Sequence, residues 1–136
     1  MDIDMREDFR EAVVSGDGDA VAELLSNGTD GNLRDGHGQT ALMLAALHGQ
    51  ETVVRHLLAY GVDLNVTAKY GLSALMLAVV NRHAGVAKQL VDAGADLRIR
   101  GRGAPGFAGK SARDLARDAG LDDLADYIAR AEGSRD

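Results

Sequence analysis

The sequence predicts an all-α stack of short helix-turn-helix units joined by turn-rich loops. Three observations carry that expectation. The chain repeats at an offset of thirty-three residues, so that Gly38-Gln39-Thr40-Ala41-Leu42-Met43-Leu44-Ala45 returns as Gly71-Leu72-Ser73-Ala74-Leu75-Met76-Leu77-Ala78. The register continues from Val53 to Val86, Leu57 to Leu90, Gly61 to Gly94 and Asp63 to Asp96, and self-similarity at such a period marks stacked supersecondary units. Within a unit, Leu42, Leu44 and Ala45, then Val53, Val54, Leu57 and Leu58, follow helical spacing in two short runs. Gly49 breaks the pattern between the runs and Gly61 ends the second, as a glycine just past a helix does.

Taken in order, the units span about 5–33, 34–66, 67–99 and 100–131 of a single domain covering 1–136. The first keeps Ala12, Gly16, Val21, Leu24, Leu25 and Gly28 but lacks the leading Gly-x-Thr segment, as a terminal cap does. The last reads Gly109-Lys110-Ser111-Ala112, Leu115-Ala116, Gly120, Leu124-Ala125 and Ile128, at an offset of thirty-eight from Gly71, so its preceding loop carries five extra residues. Thr40, Ser73 and Ser111 stand where a helix N-cap is needed. Asp122-Asp123 opens a helix, where acids favour the dipole. Arg82 replaces the glycine of Gly16, Gly49 and Gly120, and is expected to distort the turn of the third unit if that position needs a positive φ. Gly133-Ser134-Arg135-Asp136 reads as a frayed polar tail.

Asp35 through Gly49, with the Gly61-Val62-Asp63-Leu64-Asn65 and Gly94-Ala95-Asp96-Leu97 endings, resembles the ankyrin repeat. The resemblance covers nearly the whole chain and implies a solenoid of helix pairs with β-turn or hairpin loops. The family's proline and histidine in its T-P-L-H segment are replaced by Ala41 and Met43, and again by Ala74 and Met76. The loss of that inter-loop histidine leads us to expect looser loops between units.

Composition narrows the function. The net charge is −6, with acids and bases mixed along most of the chain, so nucleic acid is not an expected partner. Without cysteine there is no disulfide framework or thiol chemistry. The acidic start, Met1 to Met5, lacks the order of a secretory signal. The apolar runs Ala41–Leu47 and Ala74–Val80 are too short to span a bilayer. A cytoplasmic monomer is the expectation. Arginine exceeds lysine twelve to three, a bias that hints at a bacterial source.

One stretch departs from this background. Residues Arg98 to Lys110 carry four positive charges, no negative one, and several glycines, and they fall in the enlarged loop. It reads either as a mobile, tolerated insertion or as a basic fingertip for an acidic surface. Ala104 to Ser111 also fits a relaxed phosphate-binding loop, but no apolar parallel strand precedes it.

Catalytic and metal chemistry find little support. His37 falls in a loop tip, His48 ends an inner helix, His83 lies in a turn and His56 on an outer helix. No carboxylate completes a His37–His48 ligand set. Ser15, Ser73 and Ser111 lack a histidine partner. No catalytic residue and no cofactor are expected. The resemblance implies instead a partner protein held by the loop tips and the exposed face of each first helix. By position these residues are Gly36, His37, Gln39, Leu47 and His48, then Lys69, Tyr70, Leu72, Val80 and Asn81, then Phe107 and Lys110, with Arg100 and Arg102 adding charge. Tyr70 is the expected anchor. A phosphate or nucleotide binder using residues 98–111, and a self-associating structural protein, are the alternatives.

Overall fold

Helices of seven to nine residues are marginal on their own, so their stability here must come from neighbours. The computed structural model describes residues 5–135; the acidic Met1–Asp4 and the terminal Asp136 lie outside the described residues. Four helix pairs follow one another: α1 (Glu7–Ser15) with α2 (Gly18–Ser26), α3 (Ala41–His48) with α4 (Glu51–Ala59), α5 (Ala74–Val80) with α6 (Ala84–Asp92), and α7 (Ala112–Asp118) with α8 (Asp122–Ser134). The first helices pack in an inner row, α1 on α3 on α5 on α7, and the second helices in an outer row, α2 on α4 on α6 on α8.

The composition of each inner helix follows from its place. Ala41 to Ala46 of α3 are all buried, as are Ala74, Leu75, Met76, Ala78 and Val79 of α5, because both helices are covered by a neighbour on each side. The end helices are polar on their free sides: α1 exposes Glu7, Asp8, Arg10 and Glu11, and α7 exposes Arg117 and Asp118. Thr40, Ser73 and Ser111 cap α3, α5 and α7 by accepting the N–H of Met43, Met76 and Asp114 at 3.2, 3.3 and 3.3 Å.

Between the helices of each pair the backbone turns through a left-handed residue, at Gly16, Gly49 and Gly120 with φ of 82°, 71° and 77°. Arg82 adopts the same conformation, with φ 65°. The expected distortion is absent. The His83 N–H reaches Ala78 O at 2.8 Å, just as Gln50 reaches Ala45 at 2.9 Å and Leu121 reaches Ala116 at 2.8 Å. The Arg82 guanidinium also donates to Ala119 O of the next turn at 2.8 Å, so the side chain gains a bond that a glycine would lack.

The loops are tied rather than loose, which corrects the expectation drawn from the missing histidine. Asn32 Oδ1 accepts the Asp63 N–H and, one unit on, Asn65 Oδ1 accepts that of Asp96, both at 2.8 Å. Gln50 Nε2 donates to Val14 O at 2.8 Å, and at the equivalent position His83 Nε2 lies 3.1 Å from Leu47 O, a contact that needs the proton on Nε2. Met43 and Met76 are core residues, each 1% exposed. Among the described residues hairpin character is slight: an isolated antiparallel bridge joins Arg34 and Thr40, and a 3₁₀ turn occupies Lys69–Gly71. The chain end is likewise not frayed as far as it is described. Helix α8 runs to Ser134, and Arg135 donates to Val91 O and Ala95 O at 2.8 Å each.

Packing separates two glycines with the same backbone. A Cβ on Gly49 would lie 2.6 Å from the His83 ring, whereas nothing lies within 4 Å of one on Gly120. Gly120→Ala should cost about 1 kcal/mol, the left-handed penalty alone, and Gly49→Ala measurably more. Urea midpoints with unchanged m-values would check this, and equal losses would show that the His83 ring yields freely.

Candidate site at the loop tips and inner-helix face

Each loop tip is built differently because the residue organising it differs. In the second unit Asp35, 9% exposed, bonds through Oδ1 to the N–H groups of His37 and Gln39 at 2.9 Å each and shapes the turn itself. His37 is exposed and Gln39 half-buried. At the same position the third unit has Ala68, whose side chain offers no acceptor. Its turn is closed by the Gly71 N–H to Ala68 O at 3.0 Å and propped from outside by the following loop.

That prop is the enlarged loop, and it is tied by its own hydrogen bonds. The Gly101 N–H reaches Lys110 O and the Gly109 N–H reaches Gly101 O, both at 2.9 Å, while Phe107 and Ala108 donate to Ala104 O. The Arg102 N–H donates to Tyr70 O at 2.8 Å. The rings of Tyr70 and Phe107 lie 5.4 Å apart at 42°, with Lys69 Nζ 5.0 Å from the Tyr70 centroid. Tyr70 itself sits at φ 61°, a left-handed conformation uncommon for a bulky residue. Two loops are thus riveted at one aromatic pair.

The four positive charges of this loop are mostly used internally. Arg98 lies 3.4 Å from Asp96, Arg100 donates to Gly109 O at 2.8 Å and lies 3.6 Å from Asp114, and Lys110 pairs with Asp118 at 2.5 Å. Arg102 alone of the four has no carboxylate partner among the described residues. The expected fully basic fingertip is therefore reduced to Arg102, joined from the neighbouring tip by Lys69.

The phosphate-loop reading fails on geometry. A phosphate cradle needs backbone N–H groups pointing outward. Here the N–H groups of Phe107, Ala108, Gly109 and Lys110 are bonded to carbonyls within the loop, and that of Ser111 to Asp114 Oδ2 at 3.0 Å. The Ser111 and Asp114 side chains form a reciprocal cap, which puts a carboxylate where the anion would sit. Among the described residues, no group of three histidines or acids is close enough to hold a metal.

The inner-helix face holds the remaining expected residues. Leu47 and Val80 are half-buried at equivalent positions of α3 and α5. Val14 of α1 occupies the same position and continues the strip; its register, thirty-three before Leu47, was the signal that could have found it. The strip ends at Asp118, the fourth equivalent, where Lys110 pairs with it. His48 is exposed beside Leu47, and Asn81 is half-buried with its amide donating to Leu77 O at 2.8 Å. Leu72 belongs elsewhere: at 4% exposure it packs in the core and offers a partner nothing, a correction to its expected role. Tyr60, 50% exposed at the end of α4, was not anticipated. A separate open groove lined by Asn65, Asp96, Arg98, Glu132 and Arg135 includes none of the expected contacts.

Asp114 couples the cap to pH. The Ser111 N–H, then the Ser111 hydroxyl and the charges of Arg100 and Arg113, hold its carboxyl below the usual carboxylate range against the opposing effect of burial. A depressed carboxylate stabilises above its unfolded pKa, and that contribution disappears as pH falls through the folded value. Asp114→Ala should thus lower the thermal midpoint at neutral pH, with the deficit shrinking below about pH 4. A deficit constant with pH would mean that the carboxylate charge contributes nothing.

Comparison with known proteins agrees with this geometry. A family model for ankyrin repeats, in three copies, matches residues 9–100, about two thirds of the chain. No curated protein gives a significant match. Helices α7 and α8 lie beyond the matched residues but repeat the cap, left-handed turn and packing of the units before them. With helix pairs stacked in two rows, and its first three units matched in sequence, the chain belongs to the ankyrin repeat family.

Proposed function

We propose that this chain is a protein–protein interaction module, a cytoplasmic adaptor or regulator that takes its partner across the inner-helix face and the loop tips. Ankyrin repeats generally act as interaction modules. The observation that carries the reading is the strip of Val14, Leu47 and Val80: the same inner-helix position holds a half-open apolar residue in three successive units. An apolar row on a rigid scaffold, with the polar His48 and Asn81 next to it in sequence, has the make-up of an interface centre with a polar border.

Of the alternatives, the phosphate reading is disfavoured because the N–H groups of residues 107–111 are bonded within the loop and its cap, and the Asp114 carboxylate occupies the cap. Self-association through the stack ends is disfavoured by the charged free sides of α1 and α7, which act as polar caps. A monomer fits those ends.

Affinity capture from lysate of the source organism, followed by recombinant production of the captured protein, tests the reading. Leu47→Asp with Val80→Asp should abolish its binding, and Tyr70→Ala should weaken it about tenfold or more, the range of an interface anchor. Binding unchanged in both variants, with the fold intact by circular dichroism, would move the interface to the outer helices and sink the proposal.

A further inference from the structure

The riveted tip presents hydrogen-bond donors without acceptors. Among the described residues, Lys69 Nζ, the Arg102 guanidinium and the Tyr70 hydroxyl have no intramolecular hydrogen-bond or ion-pair partner, while every other cation of the adjoining loop is neutralised or bonded. All three groups belong to exposed residues, Tyr70 at 37%. Their placement is over-determined. Arg102 is fixed through its N–H on Tyr70 O, and its stem crosses Gly71, where an added Cβ would meet Arg102 Cγ at 3.1 Å and Nε at 3.2 Å. Lys69 is held over the Tyr70 ring. The left-handed backbone at Tyr70 is a strained state, and such strain persists where surrounding contacts enforce it.

Resting on the interaction-module reading, we propose that this tip is a carboxylate anchor, selecting an acidic segment of the partner protein through Lys69, Arg102 and the Tyr70 hydroxyl. Charge complementarity supplies the argument: on a chain of net charge −6, two uncompensated cations with a phenol between them form a local island of the opposite sign. A guanidinium and an ammonium offer donors and no acceptor, so a carboxylate satisfies both, whereas a neutral amide would bring its own donors against them. Exposed pairs of this kind steer and select more than they hold. The apolar strip holds the rest of the segment.

Nucleic acid fits the tip less well. Stacking needs an open ring face, and Tyr70 has Lys69 over its ring, Phe107 tilted against it, and the Gly103 backbone so close that an added Cβ would lie 3.2 Å from Tyr70 Cδ1. The ring's edge and hydroxyl remain, which suit a carboxylate.

A phage-displayed library of random dodecapeptides, selected on the full chain, tests the anchor. Recovered peptides should be enriched in Asp and Glu. One of them, made with a fluorescein label, should bind the Lys69→Gln, Arg102→Gln double variant about tenfold more weakly than the parent and lose most of its salt dependence. Both positions are exposed, and an unchanged thermal midpoint would show the fold intact. Peptides without acidic excess, or acidic peptides that keep their affinity for the double variant, overturn the anchor. If such peptides are still lost by Leu47→Asp with Val80→Asp, the interaction face stands and only the carboxylate selectivity falls. A labelled single-stranded oligonucleotide that binds as tightly as the peptide, with the same loss in the double variant, overturns it in favour of a general polyanion site. Recovery of no peptide at all also counts against it.

Discussion

Helices α3 and α5 are apolar around nearly their whole circumference, and no single partner helix could cover them. Each becomes stable only when flanked in the inner row and backed by an outer helix. The other features follow from this requirement. The units stack at a fixed register because the buried faces must meet, the end helices carry charge because no described element packs on their free sides, and the glycine-type turns recur because each pair must fold back at the same point. The half-open strip follows too. Where an inner helix passes out from between its neighbours, its last apolar residue is left half-open, and the register repeats that opening three times.

Hydrogen bonds between units fix the register in detail. Asn32 and Asn65 each hold the backbone of the next unit, and Gln50 and His83 each hold a carbonyl of the unit before. These bonds run in both directions along the stack. They replace a contact the resemblance led us to expect from residues that here are Met43 and Met76. Burying two methionines in their place exchanges a polar tie for core volume, and the loop ties are transferred to asparagines and to the Tyr70–Arg102 contact.

The enlarged loop shows how tertiary context changes the meaning of a sequence. Read along the chain, residues 98–110 are basic, glycine-rich and apparently mobile. In space, carboxylates from α7 and from the preceding loop lie beside three of the four cations, and an aromatic pair fixes the loop on the tip before it. What the loop leaves without a carboxylate among the described residues is therefore not its total charge but the remainder, Arg102, set next to Lys69 and Tyr70.

By itself the sequence determined the fold and the helix caps, because each of these is written in periodic apolar residues, glycines and Ser/Thr positions that act locally or repeat. It also raised Leu47, Val80 and Tyr70 as expected contacts, since register carries a position from one unit to the next. Only the tertiary structure decided which of the expected contacts are available. Leu72 is buried by packing from adjacent units, Arg100 and Lys110 are claimed by Asp114 and Asp118, and Arg82 keeps a turn that its side chain seemed set to spoil. Those outcomes depend on which groups meet across units far apart in sequence, where charge pairing and burial are settled by distance in space, not by the residue's identity.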